Sequence, residues 1–298
     1  MPLVSVLTPV FNSAHTLGFA LASLRAQTLL DWECIVVDDG SADDAGEVVE
    51  AAADPRFRFF RLERNCGRGH ARQCALEQTR GKYVAMLDAD DWIYPDKLSR
   101  QVEMLEARPS IAAVSTGMAV LDSTNRLLGV QGKSGSTIYG RMERLGMPLL
   151  SFAPTMMHSD LAENTGFDPS LRHAEDADFL LRALLGREYA IICDPLYAYK
   201  QPTRSDSGKV SAMIDCTCLI LSRYLACYPL RARRLIVELR LKQVSYHLAA
   251  LFGFWEKVIA RRYRRPEALE RMRFSEALET VRSAAAGLGS RLLIIGQG

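Results

Sequence analysis

The chain has 298 residues, enough for one large α/β domain with an appendage or for two modest domains. Hydrophobic residues make up 48% and charged residues 24%, which excludes a disordered or fibrous chain, and the net charge of +2 carries no global nucleic-acid signal. The seven cysteines are odd in number and include no C-x-x-C pair, so they read as reduced thiols of a cytoplasmic protein rather than a disulfide frame.

The first hundred residues alternate between two periodicities. Val4 to Val10 is a short β-branched run that reads as a strand, followed by the turn and cap pair Asn12-Ser13. From Ala14 to Gln27 the apolar residues Leu17, Ala20, Leu21 and Leu24 recur at helical spacing. Glu33 to Val37 is a second buried strand, ending in Asp38-Asp39-Gly40-Ser41, and Asp43 to Ala53 reads as a helix. Phe57 to Leu62 reads as a strand, Gly67 to Thr79 as a helix after a glycine-containing loop, and Tyr83 to Leu87 as a fourth strand. Such alternation predicts an α/β fold with a parallel sheet and helices on its faces. Further on, Lys97 to Ala107 is an amphipathic helix and Ile111 to Leu121 a strand region. Gly129 to Gly140 reads as a glycine- and serine-rich loop, and Ala190 to Cys193 as a last strand. His158 reads as a structural residue of a later strand.

In open α/β sheets, ligands bind outside the carboxyl ends of the strands. Here three such ends carry polar chemistry: Pro9-Val10-Phe11-Asn12, Asp38-Asp39-Gly40-Ser41 and Asp88-Ala89-Asp90-Asp91. The last group holds three like charges that repel, and a divalent cation with a phosphate would compensate them. Oxygen-only ligands suit Mg²⁺ or Mn²⁺. The competing reading is a solvated acidic turn in which Asp91 or Asp96 caps the next helix. Gly67-x-Gly69 is not a dinucleotide fingerprint, because the third glycine is missing and no ribose-binding acid follows at the right distance.

Taken in order, Pro9-Val10-Phe11-Asn12, Val36-Val37-Asp38-Asp39-Gly40-Ser41, Asn65-x-Gly67 leading to Ala71-Arg72, and Leu87-Asp88-Ala89-Asp90-Asp91 resemble the family 2 glycosyltransferases. Glu175-Asp176-x-Asp178-Phe179 fits the late acidic motif of that family, and the resemblance covers roughly residues 2 to 205. It implies a GT-A fold, a Rossmann-like, mostly parallel sheet flanked by helices. Residues 1–105 would form the nucleotide-sugar half, 106–208 the acceptor half, and 209–298 a helical appendage outside the resemblance.

The resemblance also implies roles. Phe11 would stack on the nucleotide base, although an aromatic there also suits a core. Asp39, preferred to Asp38, would accept from the base, and Pro9 and Ala89 would join the donor pocket with their motifs. Arg72 would lie beside the nucleotide, its alternative being a solvent-facing helix arginine. Asp88 would contact the ribose or order the site, and Asp90 would be the direct metal ligand. Asp176 would be the general base of an inverting displacement, though acidic residues suit a first helical turn regardless of function. His173, Glu175, Lys200 and Arg204 are candidates for acceptor or lid contacts, the last two on a glycine-terminated segment that could equally be a linker.

From about Val210 the chain reads as helical. Arg231, Arg233, Arg234, Arg240 and Lys242 precede the apolar stretch Leu248 to Trp255, and Lys257, Arg261, Arg262, Arg264 and Arg265 follow it. Such helices fit either the anionic inner face of a membrane, as a lipid-linked acceptor would require, or packing on the catalytic domain or a second subunit. No segment offers the roughly 18 uninterrupted apolar residues of a membrane span, and Met1 to Leu7 lacks the basic start of a secretion signal.

The leading expectation is an inverting, metal-dependent glycosyltransferase using a UDP-sugar, in bacterial polysaccharide, lipopolysaccharide or other glycoconjugate synthesis. Two alternatives remain. A nucleotidyltransferase would need a glycine- and cation-rich loop after the first strand, where this chain has Phe11-Asn12-Ser13-Ala14-His15. A non-catalytic sugar-nucleotide-binding protein would not need Asp88, Asp90 and Asp176 intact.

Overall fold

The computed structural model of the protein describes residues 1–201, 207–254 and 263–287. The sheet is ordered β3 (Phe57–Arg61), β2 (Trp32–Asp38), β1 (Val4–Val10), β4 (Tyr83–Met86), β9 (Met156–His158), β6 (Ile111–Leu121), β10 (Glu188–Lys200) and β5 (Trp92–Ile93). Its first half is formed by β1 (Val4–Val10), β2 (Trp32–Asp38), β3 (Phe57–Arg61) and β4 (Tyr83–Met86), all parallel. Both faces of β1, β2 and β4 are buried, which explains why they read as near-continuous apolar runs, whereas β3 at the sheet edge is mostly half-buried. Side chains alternate strictly: Val6, Cys34, Val36 and Ala85 enter one core, and Leu7, Ile35, Val37 and Val84 enter the other.

The second half is mixed. The long β6 (Ile111–Leu121) runs parallel to β10 (Glu188–Lys200), while β9 (Met156–His158) lies antiparallel between β4 and β6. The two-residue β5 (Trp92–Ile93) pairs with the end of β10. The segment expected as a loop over 129–140 is only partly one. It contributes β7 (Leu127–Gln131), paired with β6, and β8 (Ile138–Arg141), paired with β10. Gly140 is there because the Tyr189 ring lies where a side chain would begin, with a Cβ meeting its Cζ at 2.5 Å. His158 ends β9 beside the Tyr83 ring, a structural position.

Among the helices, α1 (Ala14–Arg25), α2 (Ala45–Ala51) and α4 (Lys97–Ala107) cover the first face. The opposite face is covered by α3 (Arg68–Leu76), α5 (Ser159–Thr165), α6 (Glu175–Leu184), α7 (Ser207–Ser222) and α8 (Pro229–Leu251). The last described helix, α9 (Ala268–Ala286), returns to the first face and packs on α1. There Phe274 lies 5.7 Å from the Trp92 ring, and Ala277, Leu278 and Val281 are buried. The C-terminal helices therefore clasp the sheet from both sides. All seven cysteines are free.

Candidate active site

The chain leaves β1 through Phe11 and turns at Asn12, whose φ of 50° is left-handed. The Asn12 amide donates to Ser41 Oγ at 2.9 Å, and its side-chain oxygen accepts from the Ala42 amide at 2.9 Å, knitting the ends of β1 and β2. Phe11 remains 47% exposed, so one ring face is open for stacking. Asp38 is fully buried and accepts from the Ser41 amide at 2.9 Å, holding the turn. Asp39 accepts from the amides of Cys66 and Gly67 at 2.7 and 2.9 Å, one on each oxygen. It thereby anchors the glycine loop to β2 and retains lone pairs for a ligand, since a carboxylate offers about four acceptor sites.

The acidic turn after β4 is resolved charge by charge. Asp88 accepts from Arg72 at 2.8 Å, and the Arg72 and Arg68 charges outweigh burial and hold its carboxyl below the usual range. Asp91 is buried and accepts from the Tyr197 hydroxyl and the Lys200 amide, both at 2.8 Å. Burial, followed by the charges of Asp90 and Asp88, nevertheless pushes it well above the usual carboxylate range. Asp90 is exposed, and among the described residues no other side chain bonds to it. Burial of its surroundings and the Asp88 charge raise its pKa as well. Asp91 does not cap α4, because its two oxygens are already engaged by β10.

Behind this turn stands α6. Its Glu175 is 1% exposed and accepts at Oε1 from Arg68 Nε at 2.6 Å and from Arg72 at 2.9 Å. Ala174, immediately before it, has a left-handed φ of 58°, an unfavourable conformation for a residue with a Cβ. Asp176 follows, half-buried, with one oxygen on the Ala177 amide at 2.8 Å. Its charge is one of those that raise the Arg68 pKa against burial, after Glu175 and Asp88. His173 is exposed.

A cavity of about 440 Å³ opens at these strand ends. Its wall brings together Pro9, Phe11, Asp39, Asp88, Ala89, Asp90 and Lys200 from the expected set, and adds Asn65, Arg68, Asp91 and Tyr199. Arg72 corrects an expectation. It is 2% exposed and lies beneath the wall, bridging Asp88 and Glu175 over the Phe152 ring, while Arg68 fronts the cavity. Lys200 is the last residue of β10, at the cavity wall, and burial holds it below the ordinary lysine range. Arg204 lies outside the described residues. Arg68, within the loop from Asn65 to His70, holds the place at the cavity wall that the resemblance gave to Arg72. A cation directly after Gly67 was the signal available.

Among the described residues no three His, Cys, Asp or Glu side chains converge to cage a metal. One outward carboxylate with a second beside it instead suits a divalent ion carried with phosphates, because Mg²⁺ is commonly held by one or two carboxylates plus substrate oxygens. The donor set fits that group.

The sequence model of "Glycosyl transferase family 2" matches residues 5–166. The chain belongs to this family. The succinoglycan biosynthesis protein ExoO of Rhizobium meliloti is 32% identical over 199 residues, 62% of this chain and 56% of that protein. The putative teichuronic acid biosynthesis glycosyltransferase TuaG of Bacillus subtilis is 38% identical over 122 residues, 40% of this chain and 48% of that protein. The chain thus spans about half the length of these two relatives. Among solved structures, S. aureus TarS 1-349 in complex with UDP-GlcNAc superposes with a TM-score of 0.62 at 21% identity, covering 98% of this chain and 83% of that one. A mannosyltransferase from Pyrobaculum calidifontis in complex with GDP-Man and Mn²⁺ superposes with a TM-score of 0.57 at 17% identity, covering 96% and 87%. These likenesses establish the GT-A fold for the family member described here.

Proposed function

We propose that the protein transfers a sugar from a UDP-sugar to an acceptor hydroxyl with inversion at the anomeric carbon, in the synthesis of a bacterial polysaccharide or other glycoconjugate. The observation that carries this reading is the unequal treatment of the acidic turn. Asp88 is neutralised by Arg72 and Asp91 is held by Tyr197 and Lys200, while Asp90 faces the cavity with no cation bonded to it among the described residues. Asp90, with Asp88 beside it, would hold Mn²⁺ or Mg²⁺ against the donor diphosphate, where the ion supplies Lewis-acid stabilisation of the leaving charge. Phe11 stacks on the base, Asp39 accepts from it, and Lys200 and Arg68 face the phosphates or the sugar. Asp176, half-buried in the first turn of α6, takes the proton from the acceptor hydroxyl as that oxygen attacks.

The UDP-GlcNAc bound to TarS favours uridine, and the GDP-Man bound to the Pyrobaculum enzyme makes guanosine the rival. Thermal shifts with UDP, GDP and their sugars, each with and without Mn²⁺, decide between them. Stabilisation by UDP compounds that requires the metal supports the reading, and no shift with any nucleotide overturns it. Asp90→Ala is expected to abolish the metal-dependent shift. Asp176→Asn is expected to keep it while lowering turnover by about 10²- to 10⁴-fold. Full turnover in Asp176→Asn removes that residue from the role of base.

A further inference from the structure

α8 has two unlike faces. Its inner face seats Ala232, Leu235 and Gln243 against α7 and the core beneath. The opposite face exposes Leu230, Val237, Leu241, Val244, Leu248 and Leu251, at 49% to 83% each. From Val237 onward these recur at alternating steps of four and three, which places them in one stripe along the helix. Such a continuous apolar stripe on a soluble face marks a contact surface.

The charges on the same helix indicate what covers it. α8 carries Arg231, Arg233, Arg234, Arg240 and Lys242 against one acid of its own, Glu238, which is bonded to Arg234 at 2.7 Å. Arg240 pairs with Asp215 of α7 and Arg231 donates to the Leu145 carbonyl, which leaves Arg233 and Lys242 as the cations with no acid or carbonyl bonded to them among the described residues. Helical spacing puts Arg231 and Lys242 on one flank of the stripe and Arg240 on the other. At its C-terminal end the stripe continues into Phe252 and Phe254, which are 66% and 54% exposed. An anionic surface answers the same charges favourably. At about 1.5 Å per residue the helix is long enough to lie flat over several lipid headgroups. No helix among the described residues is long and apolar enough to cross a bilayer.

We propose that α8 lies in the interfacial plane of a bilayer carrying anionic lipids, its stripe in the headgroup–acyl boundary and its cations on the headgroups. The sequence pointed to the basic segments around Leu248 to Trp255. The structure shifts the contact N-terminally, along the whole outer face of α8. The placement also orients the site. Arg223, just beyond α7, pairs with Asp168 at 2.8 Å and lies 3.8 Å from Asp178 of α6. The lipid-bound helix pair is thereby tied to the element whose first turn carries Asp176. Resting on the transferase reading, this means that an acceptor anchored in lipid enters from the α6 side.

The test is co-sedimentation of the whole chain with vesicles of phosphatidylcholine alone or with about 30% phosphatidylglycerol. Binding to the anionic vesicles, weakened by high salt, is expected, with little to the neutral ones. Leu241→Glu combined with Leu248→Glu is expected to lower binding at least about tenfold with an unchanged melting temperature, since both positions are exposed. Arg233→Glu with Lys242→Glu is expected to remove the salt-sensitive part. Absence of binding to anionic vesicles overturns the proposal. So does a dimer in light scattering that Leu241→Glu with Leu248→Glu dissociates. The UDP-dependent thermal shift is read on the same variants. Its loss in every form, wild type included, would sink the transferase reading and leave the vesicle result standing.

Discussion

Asp88, Asp90 and Asp91 occupy one turn, yet an arginine, a ligand-facing cavity and a tyrosine–amide pair receive them respectively. Arg72 is the hinge of that division, because it also satisfies the buried Glu175. Removing it leaves Asp88 without a bonded cation and the buried Glu175 with Arg68 alone, so Arg72→Met is expected to cost about 3–5 kcal/mol in urea unfolding. Arg68→Met, whose side chain is more than half exposed, should cost much less. Lys97 gives a second residue-scale expectation. It is fully buried with Gln101 Oε1 at 2.8 Å, and burial lowers its pKa to about 7. Below that pH the folded chain must bury a cation that the unfolded chain keeps hydrated. As pH rises from about 7 towards 10, the folded form is already neutral while the unfolded form still binds the proton. Stability relative to Lys97→Met should therefore climb over that window, by on the order of a few kcal/mol, and melting curves at several pH values check it. Sequence alone located the acids because charge at a strand end is visible in the letters. It could not rank Arg68 against Arg72, because which arginine is buried depends on how α6 returns over α3.

At the scale of elements, α4 and β6 fall on the residues that periodicity marked, Lys97–Ala107 and Ile111–Leu121. β10 was seen only in its first part. The expected strand is Ala190 to Cys193, yet the observed strand continues through Asp194-Pro195 by shifting register around Pro195. That continuation delivers Tyr197 and Lys200 to the acidic turn, which explains why neither contact could be read locally. The turn after β2 is similarly exacting. Gly40 has a φ of 71°, and a Cβ there would stand 2.6 Å from the Arg64 carbonyl carbon. Gly40→Ala is expected to displace the glycine loop held by Asp39, costing about 1–3 kcal/mol and weakening UDP binding in calorimetry. The β7 and β8 strands were hidden by their glycines, which suggest turns but serve close approach of aromatic rings.

For the whole molecule, the decisive contact is the one least visible in the sequence. α9 seals the core over α1 and Trp92, and Arg273 pairs with Asp96 at 2.7 Å and with Asp194 at 3.1 Å. Phe274→Ala is expected to lower stability by about 3–5 kcal/mol, measured by denaturant unfolding, through the cavity it leaves. The sequence reads as helical from about Val210, but that does not say which face of the sheet this helix would choose. The docking of α9 also imposes an order on biosynthesis. α1 must wait for α9, which follows it far along the chain, before the side it turns to that helix is covered. A nascent chain halted before α9 would carry every residue assigned to the reaction and still lack a finished floor beneath them.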